Sequence, residues 1–203
     1  KFDKSKFIDE IIVVARATEI EYCKKEIIKK YGFTKVTNIV KGGKERQDSI
    51  YNGILALSDK SDIVLTHDGA RPFLREELIL KGINGAIEFG ACVIGVPVKD
   101  TIKVVDANNQ VHHTPNRALL WAAQTPQCFK TDILKKGYEY ASLEGIVATD
   151  DSSLVEKYGH PVKMIMGSYD NIKITTPDDL IIAESIFKNM NLNVNSDEFG
   201  GAL

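Results

Sequence analysis

Short apolar segments rich in β-branched residues alternate with helical segments over the first half of the chain. The strand-like segments are Ile11–Ala15, Lys35–Val40, Ile63–His67 and Ala91–Val98, and the helical ones are Ile20–Lys30, Arg46–Leu57 and Arg75–Phe89. Parallel strands need crossover connections, which are usually helices, so this order predicts a mostly parallel sheet with helices on both faces. The chain is therefore expected to be an α/β protein.

The alternation stops at Lys99, where two short strand-like segments flank a polar turn at residues 106–110. Thr101–Val105 and Val111–Thr114 predict a β-hairpin that projects from the sheet. Beyond the hairpin, the predicted strands are Leu119–Ala123, Pro126–Phe129, Val162–Gly167 and Ile172–Ile174, and the predicted helices are Thr131–Ala141, Ala148–Tyr158 and Pro177–Lys188. Residues 189–203 are polar and weakly patterned, and we expect them to be frayed.

The composition excludes several classes of function. Of 203 residues, 43% are hydrophobic and 27% are charged, which is ordinary for one globular domain. The net charge of −2 argues against binding of nucleic acid. No apolar stretch approaches the roughly 18 residues of a membrane span, and the first residues do not form a signal peptide. Cys23, Cys92 and Cys128 match neither a metal motif nor a disulfide framework, so we expect a reducing, cytoplasmic location.

Residues 63–73 carry the strongest functional signal. Ligands of open α/β sheets bind at the carboxyl ends of the strands, and Asp68 directly follows a predicted strand. Asp68 can accept from a sugar hydroxyl or hold a divalent cation. Gly69 lets a ligand approach the backbone, and Arg71 can bind an anion through its planar fork of donors. The alternative is a plain turn with an Asp–Arg surface pair, because Asp-Gly is a common turn signal.

Two further segments place polar residues between a strand and a helix. Residues 41–49 contain two glycines before a helix start and can offer backbone donors to a ligand. An ordinary capped connection explains the glycines but not why the polar residues cluster there. Lys173 alternates with apolar neighbours, so its side chain points away from the packed face. It is either solvated or, beside Asp68, placed to neutralise a phosphate.

Three more candidates have competing interpretations. Arg117 and Thr125 bracket an apolar stretch and can hold a phosphate, but Trp121 between them can also simply anchor the hairpin to the core. Thr149 begins a polar cluster, residues 149–152, that either caps a helix or helps to bind a cation.

Six segments together resemble the 2-C-methyl-D-erythritol 4-phosphate cytidylyltransferases of the non-mevalonate isoprenoid pathway. The matching segments are residues 42–49, 67–72, 96–103, 117–127, 149–151 and 170–173. They have the order and spacing of that family and cover nearly everything from Ile11 to Lys188. The resemblance implies a single Rossmann-like nucleotidyltransferase domain over residues 1–203, with a dimerisation arm inserted at about residues 99–125.

The resemblance also implies an activity and roles for particular residues. The family transfers a cytidylyl group from CTP to 2-C-methyl-D-erythritol 4-phosphate and releases pyrophosphate, with Mg²⁺ bound. The implied cytosine and ribose contacts are Gly43, Lys44 and Ser49, and those beside the ribose and the substrate diol are Asp68 and Gly69. The implied contacts of the polyol phosphate are Arg71, Thr149 and Lys173. Asp68 is the implied Mg²⁺ ligand and, together with Lys173, the implied catalytic group.

The family's arm is swapped across a homodimer. Thr101, Arg117 and Thr125 are therefore expected to reach into the site of the neighbouring subunit and to bind substrate there.

One part of the family pattern has no counterpart. Nothing before Ile11 matches the family's first strand, its glycine-rich triphosphate loop or the lysine that follows this loop. Loss of a central parallel strand would leave backbone groups unpaired, so we expect the sequence to omit an N-terminal portion. Two alternatives remain: a ribitol 5-phosphate cytidylyltransferase, or a non-catalytic module that binds a polyol phosphate and dimerises.

Overall fold

The computed structural model describes residues 1–199, with side chains described for residues 1–190. The strands are β1 (Ile11–Ala15), β2 (Val36–Lys41), β3 (Ile63–Thr66), β4 (Ala91–Pro97), β5 (Val104–Val105), β6 (Val111–His113), β7 (Trp121–Lys130) and β8 (Lys163–Met166). The α-helices are α1 (Ile20–Tyr22), α2 (Arg46–Leu55), α3 (Glu76–Phe89), α4 (Thr131–Leu143), α5 (Asp151–Lys157) and α6 (Pro177–Phe199). A π-helical stretch, Cys23–Lys29, continues α1. The predicted α/β order is confirmed.

Four strands form the main sheet, in the order β3-β7-β4-β8. β4 and β8 are parallel, whereas β7 runs antiparallel to both of its neighbours. β3, β4 and β8 therefore point the same way, which confirms a mostly parallel sheet. The two strands predicted at Leu119–Ala123 and Pro126–Phe129 form the one strand β7. A register shift between Val93 and Gly95 of β4 accommodates Pro126, which has no N–H to donate.

Helices cover both faces of this sheet, as neighbouring residues of β7 show. Cys128 packs with Ala86 of α3, while Phe129 packs with Leu134 of α4 and Leu154 of α5. Successive side chains of a strand point to opposite faces, so α3 covers one face and α4 and α5 cover the other. All five side chains are buried, and the predicted two-sided covering is confirmed.

β1 and β2 form a separate parallel pair. α2 passes close to this pair, since a Cβ at Gly53 would lie 3.2 Å from Val14. Within residues 1–199 no strand pairs with both β1 and β3, so this pair is not joined to the main sheet. The N-terminal residues pack on α3 and the segment before it, where Ile8 joins a buried cluster with Leu74 and Leu78.

Two predictions near the C terminus are wrong in detail. Ile172–Ile174 is not a strand, because this segment meets the loop after β3 rather than a strand edge, through a 2.9 Å hydrogen bond from the Ile174 N–H to the Ala70 carbonyl. α6 continues past Lys188 to Phe199, so most of the segment expected to be frayed is helical. Residues 200–203 lie outside the described residues. No helix among those described is both long and apolar enough to cross a membrane.

The predicted hairpin is present. β5 and β6 pair antiparallel and every one of their residues is exposed. Apolar side chains are among them: Val104, Val105 and Val111 are all exposed. The projecting part of the chain therefore carries apolar surface that the rest of the same chain does not cover.

Candidate active site

Asp68 lies just beyond the carboxyl end of β3, and three cationic side chains surround its carboxylate. Arg46 Nε donates to Oδ1 at 3.2 Å, and Lys173 Nζ donates to Oδ2 at 2.9 Å. Arg71 Nε lies 3.9 Å from Oδ2. Burial alone would raise the pKa of Asp68, but the hydrogen bond from Lys173 and the charge of Arg46 outweigh it and lower the pKa. The carboxylate is therefore ionised at neutral pH.

These side chains line a cavity of about 160 Å³ at the strand ends. Five of the lining residues were predicted from the sequence: Asp68, Arg71, Thr125, Thr149 and Lys173. A sixth, Arg46, had no predicted role. Asp150 also lines the cavity and Asp151 pairs with Arg46, so carboxylates balance the three cations. Arg71 and Lys173 still offer donors to a phosphorylated ligand.

Asn171 holds the segment that carries Lys173. Its side chain is fully buried, and its Nδ2 donates to the Thr125 carbonyl at 2.8 Å. Its own carbonyl accepts from Arg71 Nη1 at 2.7 Å. Asn171 thus joins β7, the loop after β3 and the Lys173 segment. These bonds keep Lys173 beside Asp68 even though the Lys173 side chain is 42% exposed.

Thr125 lines the cavity of its own chain, and the expectation that it reaches a neighbouring site is wrong. Its hydroxyl accepts from the Asp68 N–H at 3.1 Å and lies 3.0 Å from Nδ1 of His67. Nε2 of His67 lies 3.1 Å from the Arg71 carbonyl, so Nε2–H donates there and Nδ1 accepts the Thr125 proton. Burial lowers the pKa of His67, which favours this neutral ring. Thr125 is placed in the cavity of its own chain because β7 has already re-entered the sheet before this residue.

The segment before α2 lies beside Arg46 but does not line the cavity. Gly43 N–H donates to Ser49 Oγ at 3.0 Å, and Ser49 Oγ donates to the Glu45 carbonyl at 3.0 Å. Glu45 and Asp48 form a reciprocal capping box. A Cβ at Gly43 would overlap Asp48, so the turn requires glycine. Gly43, Ser49 and the exposed Lys44 thus lie within three residues of Arg46 in the chain, and none of them lines the cavity.

Comparison with known proteins identifies the family. A family model described as 2-C-methyl-D-erythritol 4-phosphate cytidylyltransferase matches residues 1–189. The chain belongs to this family. Two relatives that carry the same name support this assignment. One from Alkaliphilus oremlandii is 52% identical over 187 residues, which are 92% of this chain and 79% of that protein. One from Clostridioides difficile is 53% identical over 179 residues, 88% of this chain and 75% of that protein.

Solved structures confirm the fold of this cytidylyltransferase-family chain. The 4-diphosphocytidyl-2C-methyl-D-erythritol synthase of Anaerococcus prevotii superposes with a TM-score of 0.83 at 40% identity. The match covers 91% of this chain and 81% of that one. The cytidylyltransferase of Francisella tularensis superposes with a TM-score of 0.78 at 29% identity, over 91% of this chain and 83% of the other.

The two remaining predicted residues of the family's arm, Thr101 and Arg117, lie away from the cavity of their own chain. Both are exposed. Arg117 Nη1 donates to the Lys99 carbonyl at 2.7 Å, which ties the base of the arm together. Within one chain the structure therefore does not bring these residues to Asp68.

Arg46 was missed as a functional residue, although the segment around it was recognised as a candidate. It is the first residue of α2, where a positive charge opposes the helix dipole. This unfavourable position in the sequence was the available signal that the Arg46 side chain has a role other than stabilising α2. Asp150 is the N-cap of α5, where it accepts from the Ser153 N–H at 3.1 Å. The predicted cap is therefore confirmed for this residue, which also lines the cavity.

Proposed function

We propose that this chain transfers the cytidylyl group of CTP to 2-C-methyl-D-erythritol 4-phosphate and releases pyrophosphate. The observation that carries the proposal is the group of three cations around Asp68, in a cavity at the strand ends of a chain of this family. Phosphoryl-type transfer is accelerated mainly by positioning and by offsetting negative charge. A cavity lined by Arg46, Arg71 and Lys173 supplies both.

The proposed reaction joins two phosphates. An oxygen of the polyol phosphate attacks the α-phosphorus of CTP, a new P–O bond forms, and the bond to the bridging oxygen of pyrophosphate breaks. Lys173, which is part-exposed beside Asp68, is placed to donate to the incoming phosphate. Arg71 is anchored by one nitrogen to the Asn171 carbonyl, while its buried Nε has no hydrogen-bond partner. We assign both side chains, with Thr149, to the polyol phosphate.

Asp68 and its neighbours are assigned to the hydroxyl groups of the ligands. The ionised carboxylate can only accept hydrogen bonds, which suits the hydroxyl groups of the ribose or of the polyol. Gly69 follows it and no atom lies within 4 Å of a Cβ placed there, so the backbone is open to a ligand. Gly43, Lys44 and Ser49 are assigned to the cytosine and ribose at the Arg46 side of the cavity.

The residues present fit a magnesium ion that is carried by the nucleotide. Among the described residues no group of three or more His, Cys, Asp or Glu side chains can hold a metal. Mg²⁺ is commonly bound through one or two carboxylates, with phosphates and water as the other ligands, and Asp68 offers one carboxylate. When bound, the ion would neutralise phosphate charge. Lys173 and Arg46 contact the same carboxylate, so they compete with the ion for it.

We further propose a homodimer that is joined through the hairpin arm, in a cytoplasmic enzyme. Exposed apolar residues on the arm, Val105 and Val111 among them, need a covering surface. A second copy offers one, and Thr101 and Arg117 would then approach its cavity. Mixing Arg117→Ala with Asp68→Ala protein tests this arrangement, because only a mixed dimer contains one intact site. Mixed protein that regains no activity contradicts the swapped arm.

Turnover tests the activity itself. We expect pyrophosphate release with CTP and 2-C-methyl-D-erythritol 4-phosphate, and much slower release with ribitol 5-phosphate. Lys173→Met should lower kcat/KM by about 10²-fold, as loss of one charge-stabilising group typically does. Lys81→Met, at an exposed position of α3, is the matched control and should leave kcat/KM unchanged. Binding of the polyol phosphate without turnover would favour a non-catalytic module, and equal loss in both variants would contradict the role of Lys173.

A further inference from the structure

Asp151, the first residue of α5, is a buried carboxylate whose hydrogen bonds can be fully accounted for. It is 1% exposed. Its Oδ1 accepts from Arg46 Nη1 at 3.1 Å and from the Tyr138 hydroxyl at 2.6 Å. Its Oδ2 accepts from Arg46 Nη2 at 3.0 Å and from the Thr66 hydroxyl at 2.7 Å. A carboxylate has about four acceptor sites, so Asp151 has none left for a substrate or a cation.

Arg46 connects this buried group to the cavity. Each of its terminal nitrogens donates one hydrogen bond to Asp151, and Nε reaches Asp68 Oδ1 at 3.2 Å. A guanidinium is planar and its donors form a rigid fork. Fixing the two terminal nitrogens therefore fixes the direction of Nε. The Arg46 side chain is 32% exposed while Asp151 is 1% exposed. The guanidinium is therefore anchored in the interior by Asp151 and presents Nε at the cavity.

We propose that Asp151 is a positioning residue for the cytidylyl transfer, acting through the Arg46 guanidinium to hold the carboxylate of Asp68 in one orientation. This inference rests on the proposed function of the site. With Oδ1 held by Arg46, Oδ2 is directed to Lys173 at 2.9 Å. Asp151 thus sets the geometry of the charged group without touching a ligand itself.

A purely structural role explains the arrangement less well. A buried ion pair is usually no more stabilising than well-packed apolar residues in its place. The Arg46 charge also stands at the first turn of α2, where the helix dipole opposes it. The start of α2 is already secured by the Glu45–Asp48 capping box. What the Asp151–Arg46 pair adds is a fixed direction for Nε.

The test compares Asp151→Asn with Tyr138→Phe. The asparagine keeps the size but turns one acceptor into a donor that faces Arg46, which breaks the fork. Tyr138→Phe removes one hydrogen bond from the same carboxylate and leaves the fork intact. We expect Asp151→Asn to lower kcat by about 10- to 100-fold, as loss of supporting contacts around a site does. The KM for CTP should change less than kcat, because the cytosine contacts assigned to Gly43 and Ser49 do not involve Asp151. Tyr138→Phe should keep the native kcat.

Equal kcat values for Asp151→Asn and the native enzyme would overturn the proposal, as would equal losses in the two variants. Should Asp151→Asn not fold, Arg46→Lys breaks the fork from the solvent side, because an ammonium cannot bridge both carboxylates in a plane. The same drop in kcat is expected, and an unchanged kcat contradicts the proposal.

A measurement without turnover separates this proposal from the proposed function. Nitrogen-15 NMR follows the Arg46 Nε–H, whose proton should exchange with water about tenfold faster in Asp151→Asn than in Tyr138→Phe or in the native protein, since local opening frees it. Unchanged exchange overturns the positioning role even if the native protein is active. A native protein without activity, but with the expected exchange rates, refutes the proposed function alone.

Discussion

Gly82 lies on the face of α3 that packs against the sheet, and replacing it with alanine tests how tightly that helix is seated. A Cβ at this position would overlap Sγ of Cys128 on β7. The next nearest atoms are Cys128 Cβ at 3.6 Å and Ile94 Cδ1 at 4.0 Å, which are ordinary contacts. The conflict therefore involves a single sulfur atom that is itself completely buried.

Two opposing effects decide the change in the free energy of unfolding. Alanine is favoured over glycine inside a helix by about 0.5–1 kcal/mol. Overpacking a filled core costs about 1–3 kcal/mol. Because overpacking outweighs the gain in helix propensity, we expect Gly82→Ala to lower the free energy of unfolding by about 1 kcal/mol. For a domain of this size that corresponds to a fall in Tm of about 2–4 °C.

Chemical denaturation of five proteins tests this explanation: the native protein, Gly82→Ala, Cys128→Ala, the double variant and Asn84→Ala. In a Cys128→Ala background the obstructing sulfur is gone, so Gly82→Ala should become stabilising, with a coupling of about 1–3 kcal/mol between the two sites. Asn84→Ala, at an exposed position of the same helix, reports helix propensity alone and should stabilise slightly. A Gly82→Ala protein that is as stabilised as Asn84→Ala, or no coupling to Cys128, would refute this explanation of the packing.

Three other predictions concern the site and its surroundings. Asn171→Ala should lower the free energy of unfolding by about 2 kcal/mol in urea denaturation, because it leaves the Thr125 carbonyl without its donor; full native stability would contradict this. Burial would raise the pKa of Asp150, but hydrogen bonds from Ser153 and neighbouring side chains lower it below its usual value. The stability gained from ionised Asp150 is thus present above about pH 4 and lost as pH falls further. The stability difference from Asp150→Asn should shrink between pH 7 and about pH 3, and a constant difference would argue against it. Iodoacetamide should label Cys23 alone in the native protein, as seen by mass spectrometry, because the other two cysteines are fully buried; rapid labelling of either would show that the core opens.

The elements that local pattern determines were predicted closely. β1 has its predicted bounds, Ile11–Ala15, and α3 begins one residue after its predicted start and ends at Phe89 as predicted. Hydrophobic periodicity and β-branched composition act over a few neighbouring residues, so a sequence displays them directly. The same holds for Asp68 and Arg71, since a polar group directly after an apolar strand lies at the strand end whatever the rest of the chain does.

Contacts between distant segments had no such local signal. Arg46 and Asp151 are 105 positions apart in the sequence, and nothing near either residue indicates that they meet. Thr125 looked like part of the arm because the return of β7 into the sheet is decided by its pairing with β3 and β4. Residues 172–174 alternate like a strand, yet no strand edge lies beside them. The sequence by itself determined the α/β elements, the family and half of the residues that line the cavity. Tertiary structure alone decided which buried carboxylate holds which arginine, because that choice depends on how α2, α4 and α5 pack around the end of β3.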